Sequence, residues 1–142
     1  MNKKKIVVTP GDGIGPEVTE QALIILKEVA TRFQLELEVE EMPVGGTAYD
    51  QTGAPIPDET LKACLDADAV LLGAVGGPKW EPLDFSVRPE RGLLKLRSEL
   101  QLYANLRPAV IYGDLVDEST LKRDVVEDAD LMVIRELTGG IY

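Results

Sequence analysis

The stretch Ala69-Val70-Leu71-Leu72-Gly73-Ala74-Val75 contains no polar side chain. A strand that is apolar on both faces has to be covered on both, which calls for a parallel sheet with helices packed against it. The surrounding sequence alternates accordingly. Lys3 to Pro10 predicts a short buried strand that ends in a turn. Gly15 to Phe33 predicts a helix: Pro16 suits its first position, Glu17 suits the positive end of its dipole, and Val18, Ala22, Ile25, Val29 and Phe33 form an apolar stripe. From Leu35 to Val44 the pattern alternates, with Leu35, Leu37 and Val39 turned inward and Glu36, Glu38 and Glu40 outward, as in a half-exposed strand near a sheet edge.

Gly45 to Pro57 is rich in turn formers and is read as a loop, after which Asp58 is placed to cap a helix running to about Ala67. Beyond the apolar strand, a long loop from Gly76 to Gly92 leads to a helix over 93–104. A strand over 106–112, a helix over 119–128 and a strand over 130–136 follow. Strands alternating with helices define the fold class as α/β with substantial parallel pairing.

Composition narrows the chemistry. A net charge of −10 argues against phosphate-backbone binding, so no nucleic-acid partner is expected. No apolar run approaches the roughly 20 residues needed to span a bilayer, so no membrane partner is expected either. The basic start is followed only by Ile6-Val7-Val8, too short for a signal-peptide core, and a cytoplasmic location is the expectation. The single cysteine, Cys64, sits at a helical position and is assigned to the core. With no histidine in the chain, its chemistry must use Asp, Glu, Lys, Arg, Tyr or a cofactor.

Several motifs invite a functional reading. Pro10 to Val18 follows a strand and opens a helix, but Gly11, Gly13 and Gly15 leave Pro16 where a dinucleotide fingerprint needs its third glycine. The amides ahead of Glu17 could still face an anionic group. Arg97 comes late in a helix, Arg107 opens a strand and Arg135 closes one. Arginine presents a planar fork of donors that fits carboxylates bidentately, so three converging arginines would suit a dicarboxylic acid; three surface ion pairs are the plainer alternative. Gly76-Gly77-Pro78-Lys79-Trp80 pairs a turn with the only tryptophan, whose ring is assigned to packing.

Taken in order, PGDGIGPEV, LLGAVGGPKW, RPERGLLKLR, ANLRPA and VIRELTGGIY resemble the 3-isopropylmalate dehydrogenase family, within the isocitrate/isopropylmalate dehydrogenases. The resemblance covers the whole chain. It implies that family's fold, which is not the Rossmann fold, and NAD-dependent oxidation and decarboxylation of (2R,3S)-3-isopropylmalate to 4-methyl-2-oxopentanoate in leucine biosynthesis. Mg²⁺ or Mn²⁺ would assist, and the full-length protein would be a homodimer. By the same resemblance, Arg97, Arg107 and Arg135 hold the substrate carboxylates, and Tyr142 matches the tyrosine implicated in protonating the enolate. Gly77, Pro78, Lys79, Trp80 and Glu90 lie in the stretch flanking the nicotinamide, with Ile14 beside it. Leu93 and Leu94 sit one turn before Arg97 and could form an apolar wall for an isopropyl group. Isocitrate dehydrogenases carry polar residues there, because an unpaired buried carboxylate would cost several kcal/mol. D-malate and tartrate dehydrogenases are the nearest alternative.

The resemblance also implies that the sequence is an N-terminal part. Residues 1–102 would begin the first, cofactor-side domain and 103–142 the second, dimerisation-side domain. The catalytic lysine, the metal-ligating aspartates and the adenosine loop would lie beyond residue 142, so no metal ligand is assigned here. The chain alone is expected to be inactive, with apolar strand edges left unpaired; a non-catalytic fragment that binds dicarboxylates weakly is the competing expectation.

Overall fold

A computed structural model describes residues 3–137. The chain divides into two compact units, Met1–Leu100 and Gln101–Tyr142.

The first unit is built on a parallel sheet. Strand β1 (Lys4–Gly11) lies between β2 (Leu37–Glu41) and β3 (Ala69–Ala74). In register, Val7 stands opposite Glu40 and Val70, and Thr9 opposite Leu72. Helix α1 (Gly15–Arg32) connects β1 to β2 and covers one face. The other face carries α2 (Gly45–Thr52), α3 (Asp58–Leu65) and α4 (Pro89–Glu99). There the core forms from Val7, Val44, Ile56, Ala63, Cys64 and Leu96, with Val70 and Leu72 packed against it. Cys64 is buried as expected, and burial raises its thiol pKa. Removing Leu96 from water stabilises the unit by about 2 kcal/mol.

α1 meets β3 without a side chain in between. A Cβ on Gly73 would stand 2.5 Å from Thr19 Oγ1 and 2.9 Å from the Gly15 carbonyl oxygen, and one on Gly15 would stand 2.9 Å from Ala74 N. Thr19 is buried and donates its hydroxyl back to the Gly15 carbonyl at 2.5 Å. These small residues let the start of α1 lie on the strand backbone, and they put the β1–α1 turn beside the end of β3.

The structure departs from the sequence reading at several points. The segment read as a loop at 45–57 begins with the helix α2, whose N-cap residue, Val44, offers no side-chain cap. Asp58 is the first residue of α3 and does not cap it; its carboxylate lies 3.5 Å from Lys95 Nζ. Helix α4 starts earlier than expected, at Pro89, because a proline in the first turn forfeits no helical hydrogen bond; the chain turns out of the helix at Gln101, with φ 51°. The stripe on α1 is not buried: Ile25 is 64% and Phe33 68% exposed. β3 is also only half-buried, since it has one strand neighbour in this sheet and an open apolar groove runs between α1 and β3, lined by Ile6, Ala22, Ile25, Val29 and Leu71. β2 is the edge strand expected, but Leu35 and Val39 remain largely exposed. Its edge is tied by ion pairs from Lys3 to Glu38 (2.9 Å) and Lys5 to Glu40 (2.8 Å).

The second unit is a hairpin-like pair, β4 (Ala104–Val110) against β5 (Asp130–Glu136). The pairing is antiparallel, so the parallel pairing inferred from the sequence is confined to the first unit. The predicted helix over 119–128 is reduced to the short α5 (Arg123–Val126), preceded by a 3-10 turn at Gly113–Glu118. An antiparallel pair needs no helical crossover, and Val116 and Val126 alone are buried beneath this connection.

Gly73→Ala should destabilise the first unit by about 1–3 kcal/mol through overpacking of the α1–β3 contact. Chemical denaturation followed by far-ultraviolet circular dichroism checks this; an unchanged midpoint would mean that the contact is not close.

Candidate active-site residues

Ligands of open α/β sheets are met at the carboxyl ends of the strands. At that rim of the first unit the turn after β1 and the turn after β3 are joined directly, by Asp12 N–H donating to the Ala74 carbonyl at 2.6 Å. The Asp12 side chain then turns inward and is 2% exposed. Its Oδ2 accepts the amides of Gly46 and Gly76, both at 2.8 Å. Its Oδ1 accepts the Thr47 amide at 2.7 Å and the Thr47 hydroxyl at 2.8 Å. Asp12 thus supplies from a distance the cap that Val44 cannot give α2, which is why a segment starting Gly45-Gly46 is helical at all.

The cofactor residues expected from the sequence gather around this junction. Ile14 is the exposed N-cap of α1, two residues beyond Asp12. Gly76 holds φ 103°, in the region that favours glycine, and a Cβ there would come within 2.8 Å of Glu90 Oε1. Glu90, in the first turn of α4, therefore stands over the Gly76–Gly77 turn. Pro78, Lys79 and Trp80 form a single 3-10 turn. The Trp80 ring packs against Gly46, where any side chain would collide with it. Asp50, on α2, receives Lys79 Nζ at 2.5 Å and the Trp80 indole N–H at 3.1 Å. Lys79 Nζ also lies 5.2 Å from the Trp80 ring centroid. The Lys79 hydrogen bond first, and then the indole, hold the Asp50 carboxyl below the usual aspartate range.

The remaining candidates lie elsewhere. On α4, Leu93 and Arg97 are both half-buried and four residues apart, hence on one face. Leu94 is 46% exposed and lines a separate open groove with Arg91, Lys95 and Ser98. In the second unit, Asn105 is in register with Arg135 and Arg107 with Val133, so Arg107 and Arg135 are diagonal neighbours on one face of the pair. Arg107 Nε donates to Asn105 Oδ1 at 3.2 Å. The structure thus brings two of the three arginines together within one unit. Tyr142 lies outside the described residues. Among the described residues no group of three or more Cys, Asp or Glu side chains fits a metal ion, and no step is assigned to one here.

Sequence reading missed Asp12 and Asp50. The signal for Asp12 was an acidic residue inside a run of glycines, with two further glycine pairs, Gly45-Gly46 and Gly76-Gly77, downstream. Asp50 carried no signal: only the fold sets it opposite Lys79 and Trp80.

A parallel α/β unit followed by an arginine-bearing antiparallel pair has a clear family counterpart. A family model described as isocitrate/isopropylmalate dehydrogenase matches residues 5–142, and the chain belongs to that family. A curated relative from Methylococcus capsulatus, a 3-isopropylmalate dehydrogenase, is 62% identical over 138 residues, covering 97% of this chain and 38% of its own. Another 3-isopropylmalate dehydrogenase, from Aquifex aeolicus, is 56% identical over 142 residues, covering 100% of this chain and 39% of its own. Among solved structures, a β-decarboxylating dehydrogenase from Thermococcus kodakarensis aligns at TM-score 0.65 and 32% identity, over 94% of this chain and 33% of its own. An isocitrate dehydrogenase from Methylococcus capsulatus aligns at TM-score 0.64 and 28% identity, over 96% and 35%. The chain therefore spans well under half the length of the curated relatives it matches.

Because Asp50 is depressed, its contacts with Lys79 and Trp80 are complete above the ordinary aspartate value and are lost as the pH falls through the lower, folded-state value. Emission from Trp80, the only tryptophan, should titrate with a midpoint below that of an ordinary aspartate, and Asp50→Asn should abolish the transition. A midpoint at or above the ordinary value would contradict the arrangement.

Proposed function

We propose that this sequence is the N-terminal part of an NAD-dependent 3-isopropylmalate dehydrogenase, acting in leucine biosynthesis in the cytoplasm and assembling as a homodimer at full length. The supporting observation is that relatives bearing that name align with essentially the whole of this chain at more than half identity. NAD, when bound, supplies the hydride acceptor, and a divalent Mg²⁺ or Mn²⁺ is held by residues beyond this sequence. Ile14, Gly77, Pro78, Lys79, Trp80 and Glu90 flank the nicotinamide end of the cofactor. Arg97, Arg107 and Arg135 bind the substrate carboxylates through their planar forks of donors. Leu93, on the face of α4 that carries Arg97, provides an apolar wall for the isopropyl group. After the β-carboxylate leaves as CO₂, Tyr142 delivers a proton to the carbon that carried it; a phenol serves as such a donor when held near a cationic group.

In this reading, residues 1–102 belong to the cofactor-side domain and 103–142 to the dimerisation-side domain. The 142-residue chain by itself should give no 3-isopropylmalate-dependent NADH.

The reading is tested in the enzyme obtained by continuing this sequence to the length of its relatives. Arg107→Lys keeps the charge but loses the fork, and should lower kcat/KM for 3-isopropylmalate by roughly 100-fold, while the KM for NAD changes little. Unaltered kcat/KM would remove Arg107 from the carboxylate site. NADH formation by the isolated 142-residue chain would contradict the assignment of essential groups beyond it.

A further inference from the structure

Three glycine-bearing segments far apart in sequence meet at one buried carboxylate. Gly11-Asp12-Gly13 follows β1, Gly45-Gly46 opens α2, and Gly76-Gly77 follows β3. The Gly45-Gly46 pair has a steric role at the meeting point. A Cβ on Gly45 would collide with Asp12 Oδ2, and one on Gly46 would collide with the Trp80 ring. The first turn of α2 thus accepts the carboxylate with one residue and the indole with the next. Both oxygens of Asp12 receive two donors each, and all four donors are amides or a hydroxyl. A carboxylate in this setting is an acceptor only, so every donor aimed at it is fixed in direction.

The bond to the Gly76 amide is the informative one. Capping α2 needs only Gly46 and Thr47, whereas Gly76 belongs to the turn leading into Pro78-Lys79-Trp80. Oδ2 ties that turn to α2, and the Asp12 N–H ties the β1–α1 turn to the end of β3. Asp50 then completes a second tie further along, at Lys79 and Trp80.

We propose that Asp12 is a positioning residue: its buried carboxylate fixes the Gly76–Trp80 segment against α2 and beside Ile14, and so presets the wall that flanks the nicotinamide. The consequence for the cofactor rests on the reading given under Proposed function; the anchoring itself does not.

Asp12→Ala removes both acceptor oxygens. The Gly46, Gly76 and Thr47 amides and the Thr47 hydroxyl all lose this partner, whereas an asparagine with its oxygen facing Gly46 and Gly76 would keep both of those bonds. Amide hydrogen exchange on the 142-residue chain should show the Gly76 amide exchanging about tenfold faster or more, with Trp80 emission shifted to the red, while Val8 in β1 and Leu72 in β3 keep their protection. Unchanged Gly76 exchange and Trp80 emission would overturn the proposal. So would equal acceleration in β1 and β3, because Asp12 would then only stabilise the unit as a whole. Should Asp12→Ala fail to fold, Thr47→Val removes one of the four donors and should give the same local pattern at smaller amplitude, reversed by Thr47→Ser; no local change in Thr47→Val would also overturn the proposal. In the enzyme of relatives' length, Asp12→Ala should raise the KM for NAD more than it lowers kcat. A loosened segment with an unchanged KM would uphold the anchor and remove the segment from the cofactor site.

Discussion

The first unit depends on the close approach of the β1–α1 turn to the end of β3. Gly15 and Gly73 bring two backbones together without intervening side chains, and Thr19 closes the gap by bonding back to Gly15. Only because of that approach can the Asp12 amide reach the Ala74 carbonyl, and only then is the Asp12 carboxylate within reach of both α2 and the turn at Gly76. Packing therefore comes first and the polar network second. A buried carboxylate without its donors would be costly, so the junction is complete or it is absent.

Much of this was legible in the sequence, for identifiable reasons. The apolar run 69–75 and the periodicity of 15–33 gave β3 and α1, because side-chain period reports which faces are to be covered. The alternation at 35–44 correctly made β2 an edge strand. What stayed hidden depends on distant partners. α2 starts with two glycines and lacks a local cap, so no propensity argument finds it; its cap comes from Asp12, more than thirty residues earlier. Asp58 looked like a cap by local rules but was taken into the first turn and paired with Lys95. The helix expected at 119–128 shrank because the strands it connects are antiparallel, which no local pattern announces.

The candidate site was legible to a different degree. The motif resemblance named the residues, and the fold shows how several are held: Glu90 above the Gly76 turn, Trp80 between Gly46 and Asp50, Arg107 beside Arg135. The resemblance could not supply the residues that hold them. Asp12 and Asp50 act on the segment expected to flank the cofactor from outside it: Asp12 lies inside the PGDGIGPEV motif but was given no role there, and Asp50 belongs to none of the motifs. The exposed face of α1 and the open groove beside β3 are apolar surface left uncovered in this chain, which spans well under half the length of its curated relatives.

In the function proposed above, Leu93, which shares its helical face with Arg97, would favour a substrate with an apolar side group over one with a third carboxylate. The direct measurement is kcat/KM for 3-isopropylmalate, isocitrate and D-malate, compared side by side in the enzyme that carries this sequence at its relatives' length. The account predicts that 3-isopropylmalate is turned over most efficiently, with isocitrate lower by roughly 100-fold or more. Higher efficiency with isocitrate or with D-malate would contradict it.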